Sequence, residues 1–116
     1  MSNVYVVQCH RKRDPETNEF VPVYDLTPAK EFGAVIELLT PQATPFNPGP
    51  VVQRLHEVLQ DYDPETDWIL PMGNPALIGW AIAIASEYSP QGRVRILQWV
   101  GRENAYLPTD AVLFPD

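Results

Sequence analysis

The stretch that most constrains how this chain folds is Gly73 to Ser86, GNPALIGWAIAIAS, a helix-sized run with a clear start and no charged side chain before Glu87. Asn74 followed by Pro75 is a helix-opening pair. The amide side chain accepts from a free backbone N–H of the first turn, and proline sits where a missing N–H costs nothing. Beyond that start, Leu77, Ala81, Ile84 and Tyr88 form one face. Ile78, Ile82 and Ala85 lie beside it, and Gly79, Ala83 and Trp80 continue around the cylinder. A helix apolar on every side has to be covered on every side. Within 116 residues two arrangements achieve this: the helix is central, flanked by strands and a long loop, or its outer face meets a second copy of the chain. The small residues Gly79, Ala81, Ala83 and Ala85 permit close backbone approach in either case. We expect a homodimer, with Gly79, Trp80, Ala83 and Ile84 at the interface, and an exposed apolar patch otherwise.

The segments around this helix supply a sheet for it. NVYVVQC at 3–9 is rich in Val and Tyr and reads as a strand. A turn at Asp14-Pro15-Glu16-Thr17-Asn18 leads into FVPVYDL, a second strand placed at an edge because Pro22 cannot donate to a ladder. LTPAKEFG reads as one helical turn, with Thr27 as N-cap, Pro28 at the first position and Gly33 ending it. AVIELL, 34–39, is a third strand, and TPQATPFNPGP after it, with four prolines, is a surface loop.

A first long helix then begins at Asn47-Pro48, with Val51, Leu55, Val58, Leu59 and Tyr62 on one stripe and polar residues opposite. DPET at 63–66 repeats the tetrapeptide of 14–17, which is favoured turn chemistry and no internal repeat. DWILPMG, RVRILQWV and AYLPTDAVLF are three further strands, the last two joined by GREN. The expected fold is α/β (mixed α+β) in one domain over 1–116. It is a single mixed sheet of five to six strands with two main helices, a central β-α-β-α-β unit flanked by hairpins.

If strands 34–39, 67–71 and 93–100 are parallel, both helix starts emerge at the same sheet edge, where open α/β sheets tend to hold ligands. A helix start offers unpaired N–H groups and partial positive charge, so an anion or carboxylate pocket using Gly73, Asn74, Asn47 and the 41–50 loop is one expectation. Against it, both Asn-Pro pairs serve simply as caps. PMGNPA also lacks the glycine and lysine spacing of a Walker loop or dinucleotide fingerprint.

Charge and composition remove other classes. Fifteen acids against eight bases give a formal charge of −7, which repels nucleic acid and anionic membrane. An acidic nucleic-acid mimic or inhibitor would need its acids in dense array, whereas here they are spread along the chain. Cys9 is the one cysteine and fits a reducing interior. MSNVYVVQCHRKR places its apolar stretch before its basic cluster, the reverse of a secretory signal. The apolar helix is shorter than the ~20 residues a bilayer requires. A cytoplasmic protein without membrane contact is expected.

Catalytic chemistry finds little footing. His10 and His56 have no second ligand at metal-binding spacing, so neither a metal nor a cofactor is expected. Cys9 and His10 are adjacent on a strand, point to opposite faces and cannot share a proton. Asp25, Glu31 and Glu37 would have to converge across the fold for acid–base work. His10-Arg11-Lys12-Arg13 is the sole basic run, joined by Arg93, Arg95 and Arg102 only if the terminal hairpins are neighbours. Trp68, Trp99 and Tyr106 offer stacking surfaces, although strands of small domains routinely bury such rings.

WILPMGNPALIGWAIAIASE followed by RVRILQWVGRENAYLPTDAVLF resembles a group of small uncharacterised proteins encoded by bacteriophages and found in marine sequence. Those run strand, Gly-Asp-Pro-Ala or Gly-Asn-Pro-Ala, apolar helix, then a hairpin with Trp in one strand and Tyr-x-Pro in the next. The matching positions are Gly73-Asn74-Pro75-Ala76, Trp99 and Tyr106-Leu107-Pro108. The likeness is firm over the last half and loose over the first. It implies a phage accessory protein and no catalytic residue. The expected function is therefore non-enzymatic, through contact with a second copy or with a host or phage protein. A small-ligand or enzyme domain at the helix starts is the alternative, and a nucleic-acid mimic the third reading.

Overall fold

The computed structural model describes residues 2–116. In chain order its elements are β1 (Asn3–Gln8), β2 (Arg11–Arg13), β3 (Phe20–Pro22), a 3-10 helix (Thr27–Glu31), β4 (Ala34–Leu39), α1 (Pro48–Leu59), β5 (Trp68–Leu70) and α2 (Pro75–Glu87). A second 3-10 turn (Pro90–Gly92), β6 (Arg93–Val100) and β7 (Ala105–Val112) complete the chain. Five strands make one sheet in the order β4-β1-β5-β6-β7. The first four run parallel and β7 returns antiparallel to β6.

β1 is buried from Val4 to Gln8, as a strand apolar on both faces must be when both faces are covered. Its residues divide by the two-residue period of a strand. Tyr5 and Val7, with Ile69 of β5, meet Leu55 and Leu59 of α1 and Leu77 and Ala81 of α2. Val4, Val6, Leu70 and Leu97 face the other way, toward Ala29 of the 3-10 helix and Tyr106 of β7. Each fully buried leucine contributes about 1.5–3 kcal/mol, so the helix side holds most of the core's driving force.

Phe20–Pro22 was expected in the main sheet. It instead pairs with Arg11–Arg13 as a separate two-stranded ribbon. The reason lies in β1, whose two edges are already taken by β4 and β5, leaving the returning hairpin no partner there. Asn18 takes the left-handed conformation (φ 61°) at the turn, as its side chain allows. The two DPET segments adopt the same local turn. Asp14 Oδ1 accepts from the Glu16 N–H at 2.8 Å, and Asp63 Oδ1 accepts from the Glu65 N–H at 2.9 Å. At the 3-10 helix the acceptor for the first N–H is Asp25, bonded to the Thr27 N–H at 2.9 Å, so Thr27 is the capped residue and not the cap.

In α1 the stripe holds, with Val51, Leu55 and Leu59 buried, Tyr62 buried just beyond the helix, and Val58 half-buried. Asp67 is a buried carboxylate at the sheet's amino edge. It accepts from the N–H groups of Asn3 and Asp63, both at 2.9 Å, and from the Thr66 hydroxyl at 3.1 Å. This staple ties the starts of β1 and β5 together.

Candidate ligand cleft and uncovered helix face

The chain leaves β1 toward the hairpin side of the sheet and leaves β4 and β5 toward the helix side, so the carboxyl ends of β1 and β5 form a topological switch point. Such points usually open a ligand crevice. Here Gln8 fills it. Its side chain is buried and its Nε2 donates to the carbonyls of Thr40 at 3.1 Å and Ala43 at 2.9 Å. Its backbone N–H donates to the Met72 carbonyl at 3.0 Å. Gly73, at φ +112°, passes so close that an added Cβ would stand 2.7 Å from Gln8 Cβ and 2.9 Å from its carbonyl oxygen. Glycine is required there because backbone meets backbone.

The two helix starts share this edge and differ in detail. Asn74 Oδ1 accepts from the Ala76 N–H at 2.8 Å, whereas Asn47 makes no side-chain cap bond. Pro48 and Pro50 further remove two N–H groups from the first turn of α1. Asn47 lines a depression of about 480 Å³ together with Arg54, whose Nε donates to the Leu38 carbonyl at 3.2 Å. Gly73 lines a different one of about 760 Å³ on the hairpin side. The structure therefore does not gather Asn47, Gly73 and Asn74 around one space.

The larger cleft is walled by parts distant in sequence: Tyr24 and Asp25 before the 3-10 helix, Met72 and Gly73 after β5, and Trp99, Asn104 and Tyr106 of the last hairpin. Trp99 and Tyr106 are cross-strand partners with rings edge-on at 5.0 Å. Tyr106 is only 5% exposed, while Trp99 and Tyr24 are 48% and 58% exposed. The Tyr106 hydroxyl has no hydrogen-bond partner among the described residues. Burial, and after it the nearby Asp25 and Cys9, push its ionisation up, so it stays a neutral phenol. Asp25 is held below the usual carboxylate range by the Thr27 N–H and hydroxyl. The sequence pairs Trp99 with Tyr106 but does not join them to Gly73 or Asp25, because the cleft forms only when the last hairpin pairs alongside β5 in the sheet.

On α2, Leu77, Ala81, Ile84, Ala85 and Ser86 are buried. Gly79 and Ala83 are exposed, and Trp80, Ile78 and Ile82 are half-buried against the core. The helix is thus not central, and its own chain leaves the outer face bare. Ile84, expected at an interface, is instead part of the core, since it lies seven residues from Leu77 and three from Ala81 on the inward stripe.

Elsewhere several charged and nucleophilic groups are engaged. Cys9 is fully buried, and burial, followed by Glu37, pushes its thiol up, away from the reactive thiolate. Arg11 forms a fork on Glu37, both contacts 2.8 Å, at the carboxyl edge of the sheet. Arg93 pairs with Glu65 and Asp110 at the opposite edge, so Arg93 does not join the basic run. Arg95 stacks on Trp68 with its guanidinium carbon 3.7 Å from the ring centre. His56 Nδ1 and the Tyr88 hydroxyl are 2.8 Å apart, linking α1 to α2. Among the described residues no three His, Cys, Asp or Glu side chains converge as metal ligands, and no helix is long and apolar enough to cross a membrane.

No curated protein and no solved structure matches the chain. A family model does, that of the Phage Pam3 gp32-like protein, over residues 2–112. That span takes in both hairpins, both helices and all five strands of the main sheet, so the chain is a member of the Phage Pam3 gp32-like family of uncharacterised phage proteins.

Proposed function

We propose that this protein is a non-enzymatic phage accessory module that works in the cytoplasm of the infected cell as a homodimer, through protein–protein contact. The observation that supports this reading is the outer face of α2, where Ala76, Gly79 and Ala83 are exposed and no charged side chain occurs from Pro75 to Ser86. With a formal charge of −7, two copies repel one another over most of their surfaces. The neutral face of α2 is where that repulsion is weakest. Its small residues also let two helices approach closely across a two-fold axis, an isologous arrangement. A second copy is therefore the occupant this face fits.

Size-exclusion chromatography with light scattering tests the reading. The protein is expected to run as a dimer at high concentration, and Ala83→Arg to make it monomeric with its unfolding midpoint retained. A wild-type protein that stays monomeric at high concentration overturns the reading.

A further inference from the structure

The cleft beside Gly73 supports an inference independent of the dimer. Asp25 is the single charged residue among those that wall it. The ion pairs of the described residues are Arg11–Glu37, Arg93–Glu65 and Arg93–Asp110, so Asp25 has none. Lys30 lies near enough for its field to act on Asp25 yet makes no contact with it. Two rings, Tyr24 and Trp99, stand half exposed at the same walls, where aromatic side chains ordinarily seek cover. Tyr106, whose ring is buried, also lines this space, and its hydroxyl bonds to no protein group and is open to solvent.

An anion would meet the Asp25 carboxylate in a lining that contains no basic side chain. A cation with N–H donors suits these groups chemically: the carboxylate is a counter-charge, the phenol oxygen an acceptor, and the two rings offer their faces. We propose that this cleft binds an organic cation, a protonated amine or a guanidinium group, with Asp25 as counter-charge, Tyr106 as acceptor and Tyr24 and Trp99 as flanking rings. The cavity of about 760 Å³ is within the usual size for small-molecule sites. The acidic chain also draws cations toward it. The cation could arrive as a free polyamine or as an arginine or lysine side chain of a basic segment.

The test is an NMR titration of the full chain with spermidine, with N-acetyl-arginine amide and, as the uncharged isostere, with N-acetyl-citrulline amide. Saturable shifts are expected at the Trp99 indole and at the Gly73 and Asn104 amides with a cation, and none with citrulline amide. Spermidine binding the tighter identifies a free polyamine as the source, and arginine amide the tighter identifies a side chain. D25N, whose amide oxygen still accepts from Thr27, is expected to weaken binding about tenfold, the scale of one lost charge-assisted contact. Tyr106→Phe removes a hydroxyl that bonds to nothing in the fold and is expected to weaken binding while leaving the remaining spectrum in place. Absence of saturable shifts with both cations, equal binding of citrulline amide, or wild-type binding by D25N overturns the proposal.

Discussion

α1 and α2 open on the same Asn-Pro pair and lie on the same face of the sheet, yet their outer surfaces are opposites. α1 turns Gln53, Arg54 and Glu57 to solvent, while α2 turns Ala76, Gly79 and Ala83. Inward the two are alike, each giving a stripe of apolar side chains to one cluster with Tyr5, Val7 and Ile69. The fold needs only that inward stripe. The polar exterior of α1 is what an ordinary surface helix carries, and the apolar exterior of α2 answers no requirement of its own chain. The reason for it lies outside the molecule, and this is why the partner argument rests on α2.

The comparison breaks most forcefully at the joint before each helix. α2 is clamped to β1 through Gly73, whose positive φ and closeness to Gln8, 2.7 Å from where a Cβ would stand, leave no room for a side chain. Gly73→Ala is expected to lower unfolding stability by about 2–4 kcal/mol, combining backbone strain with overpacking. The glycine at the start of α1, Gly49, has nothing within 4 Å of its would-be Cβ, so Gly49→Ala is expected to stay within about 0.5 kcal/mol of wild type. Urea denaturation of the two variants reads the difference. Equal values would show that α2 is not held by Gln8.

The caps give the next smaller contrast. Asn74 bonds the Ala76 N–H and Asn47 bonds no N–H. Asn74→Ala is expected to cost about 1 kcal/mol and Asn47→Ala a few tenths. Thermal melts of both settle the order, and a larger loss at Asn47 would reverse the assignment. Identical dipeptides thus do different work. Pro50, two residues past Pro48, sets the backbone at the start of α1, and Asn47 takes φ −130° and ψ 74° instead of the extended geometry of Asn74.

Such differences mark where sequence reading stops. Periodicity made α1 legible from Val51, Leu55 and Leu59, and the alternation of Val and Tyr with turn chemistry marked the strands. Those signals are local, and they survive whatever surrounds them. Strand neighbours are not local. Nothing in NVYVVQ says that both of its edges are filled by β4 and β5, and so the hairpin of β2 and β3 was expected in the wrong sheet. Gln8 and Asp67 read as ordinary polar residues at strand ends, because the Gln8 amide bonds that fix it, and the Asp67 bond that ties β5 to β1, go to groups more than thirty and sixty positions away in the chain. The cleft has the same character. Asp25, Gly73, Trp99 and Tyr106 come from four segments, and no spacing rule connects them. Ile84 fell on the wrong side because a helix apolar all round offers no polar face to orient it.

The smallest effect is also the one that separates the two explanations of the apolar exterior. Gly79 sits inside α2 with nothing within 4 Å of its would-be Cβ, a place where glycine costs about 0.5–1 kcal/mol relative to alanine. In dilute solution Gly79→Ala is therefore expected to raise stability by that amount, since the methyl group meets only solvent and the unfolded chain loses freedom. Against a second helix the same methyl group stands between two backbones that pack closely only when small. Light scattering at high concentration is then expected to show weaker self-association in the variant whose monomer is the more stable. If the stabilised variant associates as strongly as wild type, the contact lies off this face, and the apolar exterior of α2 answers to some other partner.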